Sequence, residues 1–193
     1  MSEKTIKPQR LNTLAFISML LSQLIEAYDF TIYGFMSITL SKVFFPNRSG
    51  SMALILVLII FAIGFLARPL GAVIFGAWGD HRGRKYALLT SIMLMGVPTL
   101  LIAILPGYQT WGITAAILLT LFRFVQGISA GGDWAGTIVY LFESAELHKK
   151  GFFAGLSIGC MYLGVFIAAI VNSILTNHYI SEPSCLRIIK NSY

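Results

Sequence analysis

MALILVLIIFAIGFLARPLGAVIFGAWGDHRGRK, residues 52–85, decides the fold. From Met52 to Trp78 one ionisable residue, Arg68, interrupts an apolar run. A helix needs about 20 mostly apolar residues to cross roughly 30 Å of hydrocarbon, and this run exceeds that. It ends on Gly79, Asp80, His81, Arg82, Gly83, Arg84 and Lys85, a short, highly charged turn. The pattern is that of a membrane helix delivering the chain into water.

Four other segments have the same length and character, at about 14–40, 87–106, 112–141 and 152–176, so about five membrane-spanning helices are expected, counting 52–78. Composition agrees. Hydrophobic residues make up 56% of the 193 and charged residues 11%, against roughly 25% charged in a soluble domain. A net charge of +6 would suggest nucleic acid in a soluble protein. Here the basic residues punctuate apolar segments, as juxtamembrane charges do, and no nucleic-acid partner is expected. Cys160 and Cys185 sit at no metal-ligand spacing.

Lys4, Lys7 and Arg10 precede the first segment like the basic end of a signal peptide. No small-residue cleavage site follows, and Glu26 and Asp29 interrupt the apolar run, so the segment is a retained helix. Lys4, Lys7, Arg10, Arg82, Arg84, Lys85, Lys149 and Lys150 fall on one side of a five-span topology. Only Lys42, Arg48, Arg187 and Lys190 fall on the other. The positive-inside rule then places the N-terminus, residues 1–13, in the cytoplasm.

Small residues let helices approach closely in lipid, where no hydrophobic drive brings them together. Gly127 with Gly131, Gly132 with Gly136, and Gly155 with Gly159 are such pairs, and suit a bundle. Pro69 and Pro98 fall inside helices, where each removes a backbone donor and favours a local kink.

Glu26, Asp29, Arg68, Arg123 and Asp133 lie within the predicted spans. Facing lipid at the bilayer centre, each would cost about 2.5 to 3.5 kcal/mol. They are therefore expected to face partners or water, either as a polar pathway or as interhelical ion pairs. Glu26, Asp29 and Tyr33 are three and four residues apart and stack on one helix face. Arg123, Gly127, Ala130, Trp134 and Thr137 follow the same rhythm, with Gln126 and Asp133 on the flank of that stripe. The two faces are candidates to line one cavity, in which a carboxylate can carry a proton.

The stretch from Gly76 through Lys85 resembles the signature loop between helices two and three of the major facilitator superfamily. That signature reads Gly-x-x-x-Asp-[Arg or Lys]-x-Gly-[Arg or Lys]-[Arg or Lys]. Arg123, Phe124, Gln126 and Gly127 resemble its fourth-helix Arg-x-x-Gln-Gly motif. Three further stretches resemble the metabolite:proton symporters, the family of the proline/betaine, α-ketoglutarate and shikimate transporters. They are Glu26-Ala27-Tyr28-Asp29-Phe30 with Tyr33-Gly34, Arg68-Pro69-Leu70-Gly71, and Gly131-Gly132-Asp133-Trp134. The last carries Asp where the family has Glu, a carboxylate shorter by one methylene.

The resemblance runs from about residue 12 to 176. It implies an all-α importer of small zwitterions or organic acids in a bacterial inner membrane. Two six-helix halves rock around a midplane site, driven by a proton gradient with no bound cofactor. Residues 14–176 would form an incomplete N-terminal half. Glu26, Asp29, Tyr33, Arg68, Arg123, Gln126, Asp133 and Trp134 would then serve substrate or proton. Gly79, Asp80, Arg82, Gly83, Arg84, Lys85 and Glu143 would form the cytoplasmic gating cluster.

From 177 to 193 the family pattern fails. The expectation is a truncated, weakly active or inactive carrier needing a C-terminal half or a second copy, the alternative being a membrane scaffold or regulatory subunit. An enzyme is not expected, since no nucleophile is paired with a base and His81, His148 and His178 lie in loops or tail. Which solute is carried is not encoded in these motifs.

Overall fold

The computed structural model describes residues 13–144 and 150–181. Within these it leaves out the side chains of 13–15, 84, 85, 88, 134, 135, 138–144 and 178–181. Among the described residues every regular element is a helix. α1 runs Thr13–Phe35 and α2 Ser37–Phe44; α3 is Gly50–Arg82 and α4 Arg84–Ala103. A single turn, α5, spans Tyr108–Trp111, followed by α6, Ile113–Ser144, and α7, Lys150–Ser181.

Five long helices thus occupy the five expected segments, with shifted ends. The first expected segment, 14–40, divides at Met36, where the backbone still bonds to Ile32 and Leu40, and helical structure continues to Phe44. α3 and α4 differ most from expectation, because the charged stretch is itself helical. α3 continues to Arg82, α4 begins at Arg84, and only Gly83 separates them. Gly83 has a φ of 95° and donates its N–H to the Gly79 carbonyl at 3.0 Å. That backbone is costly for any residue with a Cβ, which explains a glycine at this point. Both assigned helices run through their prolines, Pro69 and Pro98.

By length and apolarity, Gly50–Arg82, Ile113–Asp133 and Lys150–Asn177 qualify as membrane spans among the described residues. The apolar stretch of α4, Leu89–Ala103, is shorter, and α1, with Glu26 and Asp29 in mid-helix, is not among the three. The distribution of side chains is that of a protein in lipid. Leu66, Val73 and Leu100 are more than 70% exposed, while Arg123, Gln126 and Asp133 are 3% exposed or less. In water this arrangement would place apolar surface outside and charge inside, against the hydrophobic effect.

α3 and α6 run side by side in the same direction at close range. A Cβ on Gly127 would overlap the Gly64 carbonyl, and one on Gly131 the Arg68 carbonyl. α1 and α7 form a second parallel pair, with Gly164 against the Leu24 carbonyl. The expected pair on α7 is not the one in use. Gly155 and Gly159 meet nothing within 4 Å among the described residues, because α7 turns Gly164 toward α1 instead. α4 packs on α6, where Ser129 donates to the Ser91 carbonyl. Where α1, α2, α3 and α6 converge at one end, Tyr33, Phe44, Val57, Ile60, Ala115 and Leu119 form an apolar cluster.

Candidate functional site

Beyond that apolar cluster the interior is polar. Glu26, Asp29 and Tyr33 of α1 are 7%, 7% and 3% exposed, as a single buried face requires. Across from them, Arg68 of α3 places Nη2 3.2 Å from Glu26 Oε1. Arg123 of α6 donates from Nη1 to Asp29 Oδ2 at 2.6 Å. Each guanidinium also lies over aromatic rings, Arg68 at 4.2 Å from the Phe30 centroid and 4.4 Å from Phe65, and Arg123 at 4.0 Å from Tyr33. A planar, weakly hydrated guanidinium can both pair with a carboxylate and stack on a ring, which a lysine ammonium does poorly. Tyr33 is fixed in turn. Its ring stacks on Phe61 at 5.4 Å with 6° between planes, and its hydroxyl donates to the Val57 carbonyl at 3.2 Å.

Further along the same interface, Asp133 of α6 accepts at Oδ2 from the hydroxyl of Ser22 and from Gln23 Nε2 at 3.5 Å. Its Oδ1 is buried with no hydrogen-bond partner among the described residues. From Tyr33 back to Ser22 on α1, the polar ladder covers about 16 Å at 1.5 Å per residue, roughly half the hydrocarbon thickness. Glu26, Asp29, Tyr33, Arg68, Arg123 and Asp133 therefore share one interior strip.

Gln126 does not join them. Although buried, it turns toward α4 and donates from Nε2 to Thr99 Oγ1 at 2.8 Å, tying two helices together. Three residues on from Arg123 it is rotated by about 60° around the helix, and at that angle α4 offers Thr99 as its partner. The side chain of Trp134 lies outside the described residues. Sequence reasoning missed Ser22 and Gln23, which hold Asp133. They precede Glu26 by four and three residues, so extending the helical rhythm one turn backward would have found them. Met161 was missed for a different reason, since nothing apolar in α7 marks one residue as facing a cavity.

That cavity, of about 190 Å³, opens beside the ladder and is lined by Gln23, Glu26, Ala27, Arg68 and Met161. Glu26 Oε2 and Arg68 Nε have no hydrogen-bond partner among the described residues. The cavity thus brings together a carboxylate, a guanidinium and an amide, groups suited to a small polar solute. Among the described residues no cluster of His, Cys, Asp or Glu is arranged to hold a metal.

In the loop stretch, Gly79 is buried against the bundle while Asp80 and Arg82 are exposed at the end of α3. The expected cluster of Asp80, Arg84 and Glu143 rests on side chains of Arg84 and Glu143 that lie outside the described residues, as does that of Lys85.

Comparison with known proteins decides the family. Residues 14–188 match the family described as "Sugar (and other) transporter". The chain belongs to that family. It is thereby a multi-pass membrane protein of the major facilitator superfamily. Among the relatives of this transporter-family chain is the citrate-proton symporter of Salmonella typhi, 40% identical over 147 residues, 76% of this chain and 34% of the relative. The shikimate transporter of Escherichia coli is 42% identical over 137 residues, 70% of this chain and 31% of the relative. The proline/betaine transporter of Salmonella typhimurium is 37% identical over 159 residues, 80% of this chain and 32% of the relative. The chain spans about a third of the length of these curated relatives. No solved structure matches it. The relatives are named as transporters, not enzymes, and one by name couples its solute to protons.

Proposed function

We propose that this chain forms one wall of a proton-coupled carrier for a small organic acid or zwitterion in a bacterial inner membrane, with its N-terminus in the cytoplasm. The observation that carries the reading is the pairing of Glu26 with Arg68 and Asp29 with Arg123 inside the bundle, beside an open cavity. Charged groups are retained at such depth where a solute or ion passes, because their burial is otherwise expensive. Arg68 and Arg123 offer cationic sites for a solute carboxylate, and Glu26 and Asp29 offer sites for a proton or a solute ammonium. Tyr33 orients Arg123, and Trp134 and Asp133 extend the route along α6. Citrate, shikimate and proline or betaine, the solutes in the relatives' names, fit one or both halves of that charge pattern.

Gly79, Asp80, Arg82, Gly83, Arg84, Lys85 and Glu143 form the cytoplasmic gate in this reading. Gly83, with its φ of 95°, makes the reversal between α3 and α4 on which this gate is placed. In a carrier of the length of these relatives, of which this chain spans about a third, the opposite wall is supplied by residues beyond those that match here.

Binding needs one wall only, and is the property to test. The purified chain is heated in detergent at mildly acidic pH with citrate, shikimate, α-ketoglutarate, proline or betaine. A ligand that binds the folded state raises the melting temperature. At least one solute is expected to do so, with the effect lost in Arg68→Gln or Arg123→Gln. No shift with any of them, or a shift that survives both substitutions, would overturn the reading. A scaffold or regulatory subunit would give the first of these results.

A further inference from the structure

The bundle divides into two closely packed parts. α1 lies along α7, sealed by Gly164 against the Leu24 carbonyl and by Phe16 edge-on to Phe153 at 5.0 Å. α6 lies along α3 through Gly127 and Gly131, and along α4 through the Ser129 and Gln126 hydrogen bonds. Between the parts the backbones rarely approach, and side chains make the joint. These are the Asp29–Arg123 and Glu26–Arg68 pairs, the Tyr33 and Phe30 aromatic contacts, and the hydrogen bonds from Ser22 and Gln23 to Asp133.

The charges in this joint do not balance. Among the described residues it holds three buried carboxylates, Glu26, Asp29 and Asp133, and two guanidinium groups, Arg68 and Arg123. Each arginine is committed to a carboxylate of α1. Asp133 is left with neutral donors only, and with a buried oxygen that has no partner among the described residues. Glu26 of α1, within electrostatic range of Asp133, carries the same sign. From α3 comes Arg68, held by Glu26. From α4 come the uncharged Ser91 and Thr99, and α7 places the uncharged Met161 at the adjoining cavity. An excess negative charge in a buried joint is removed by binding a cation, and the smallest is a proton.

Building on the proton-coupled reading above, we propose that Asp133 is the proton-binding residue of the route and that its charged form latches α1 onto α6. The proton adds to Oδ1, leaving Oδ2 as a neutral acceptor. Hydrogen bonds to a charged acceptor are roughly twice as strong as those to a neutral one. Loss of the charge therefore weakens the grip of Ser22 and Gln23 and loosens α1, with α7, from α3, α4 and α6. In the solute-free chain Asp29 and Glu26 keep their arginines, and the change of charge is placed on Asp133.

The test uses the full chain in lipid nanodiscs, without solute. Infrared difference spectra between mildly alkaline and mildly acidic buffer should show a carboxylic-acid carbonyl band. The band is expected to vanish in Asp133→Asn, to return in Asp133→Glu, and to remain in Asp29→Asn and Glu26→Gln. Spin labels at Tyr86→Cys on α4 and Phe152→Cys on α7, both at least 66% exposed, in a Cys160→Ala, Cys185→Ala background, should report a longer separation in acid. The longer separation should already be present at alkaline pH in Asp133→Asn. Absence of the band, its loss in Asp29→Asn or Glu26→Gln instead, or a label distance in Asp133→Asn that still responds to acid would overturn the proposal. A band assigned to Asp133 in a chain that binds none of the solutes supports the proton site and counts only against the carrier reading.

Discussion

Replacing Asp29 by Asn leaves Arg123 buried, charged and without its counter-ion. Arg123 is 3% exposed, and among the described residues its one carboxylate contact is the 2.6 Å bond to Asp29. Removing one partner of a buried pair costs about 3 to 5 kcal/mol, mostly as the burden of the surviving charge. Here Tyr33 softens the loss, because its ring stays 4.0 Å from the guanidinium and a desolvated cation–π contact is worth about 1 to 2 kcal/mol. A net loss of about 2 to 4 kcal/mol follows for Asp29→Asn. The double substitution Asp29→Leu with Arg123→Met removes both charges and fills the space with apolar atoms, so it should cost less than the single one. Reversible unfolding of the purified chain in mixed detergent and dodecyl sulfate micelles measures both. A change below about 0.5 kcal/mol for Asp29→Asn, the size typical of surface substitutions, would refute the buried pair. So would a double variant less stable than the single.

Backbone contact between α3 and α6 makes Gly127→Leu disruptive, since the new side chain would have to displace the Gly64 backbone, whereas Gly155→Leu meets nothing within 4 Å. The yield of monodisperse protein after detergent extraction should fall several-fold for the first and hold for the second. Gly83→Ala forces a Cβ into a φ of 95° at the α3–α4 reversal, and should lower unfolding stability by about 1 to 2 kcal/mol in the same micelle assay.

The helices and their membrane setting were legible in the sequence because long apolar runs bounded by charge have few other physical explanations. Helical spacing also identified the buried face of α1, where Glu26, Asp29 and Tyr33 follow one another by three and four residues. Which acid meets which arginine was not legible. The Glu26–Arg68 and Asp29–Arg123 pairs depend on the relative height of three helices; Gly127 and Gly131 against the Gly64 and Arg68 backbones set α6 against α3, while α1 is set by its own packing, with Gly164 of α7 at the Leu24 carbonyl. Gln126 shows the limit of reading one helix at a time. Its position beside the Arg123 stripe suggested a cavity residue, yet α4 supplies Thr99 on that side. The ends of α3 and α4 escaped for a local reason, since charged residues flanking a glycine look like a loop until Gly83 is seen to make the reversal alone.

Solvent access to the strip beside Glu26 is the most direct test of an inward-facing polar route. In membrane vesicles carrying the Cys160→Ala, Cys185→Ala background, single cysteines replace Ala27 and Met161, which line the cavity, and Leu66 and Val73, which are 74% and 73% exposed on the outer face. A small water-soluble thiol reagent should modify the first two and leave the second two unreacted, because lipid covers them. Modification of Leu66→Cys and Val73→Cys, with Ala27→Cys and Met161→Cys silent, would contradict the account.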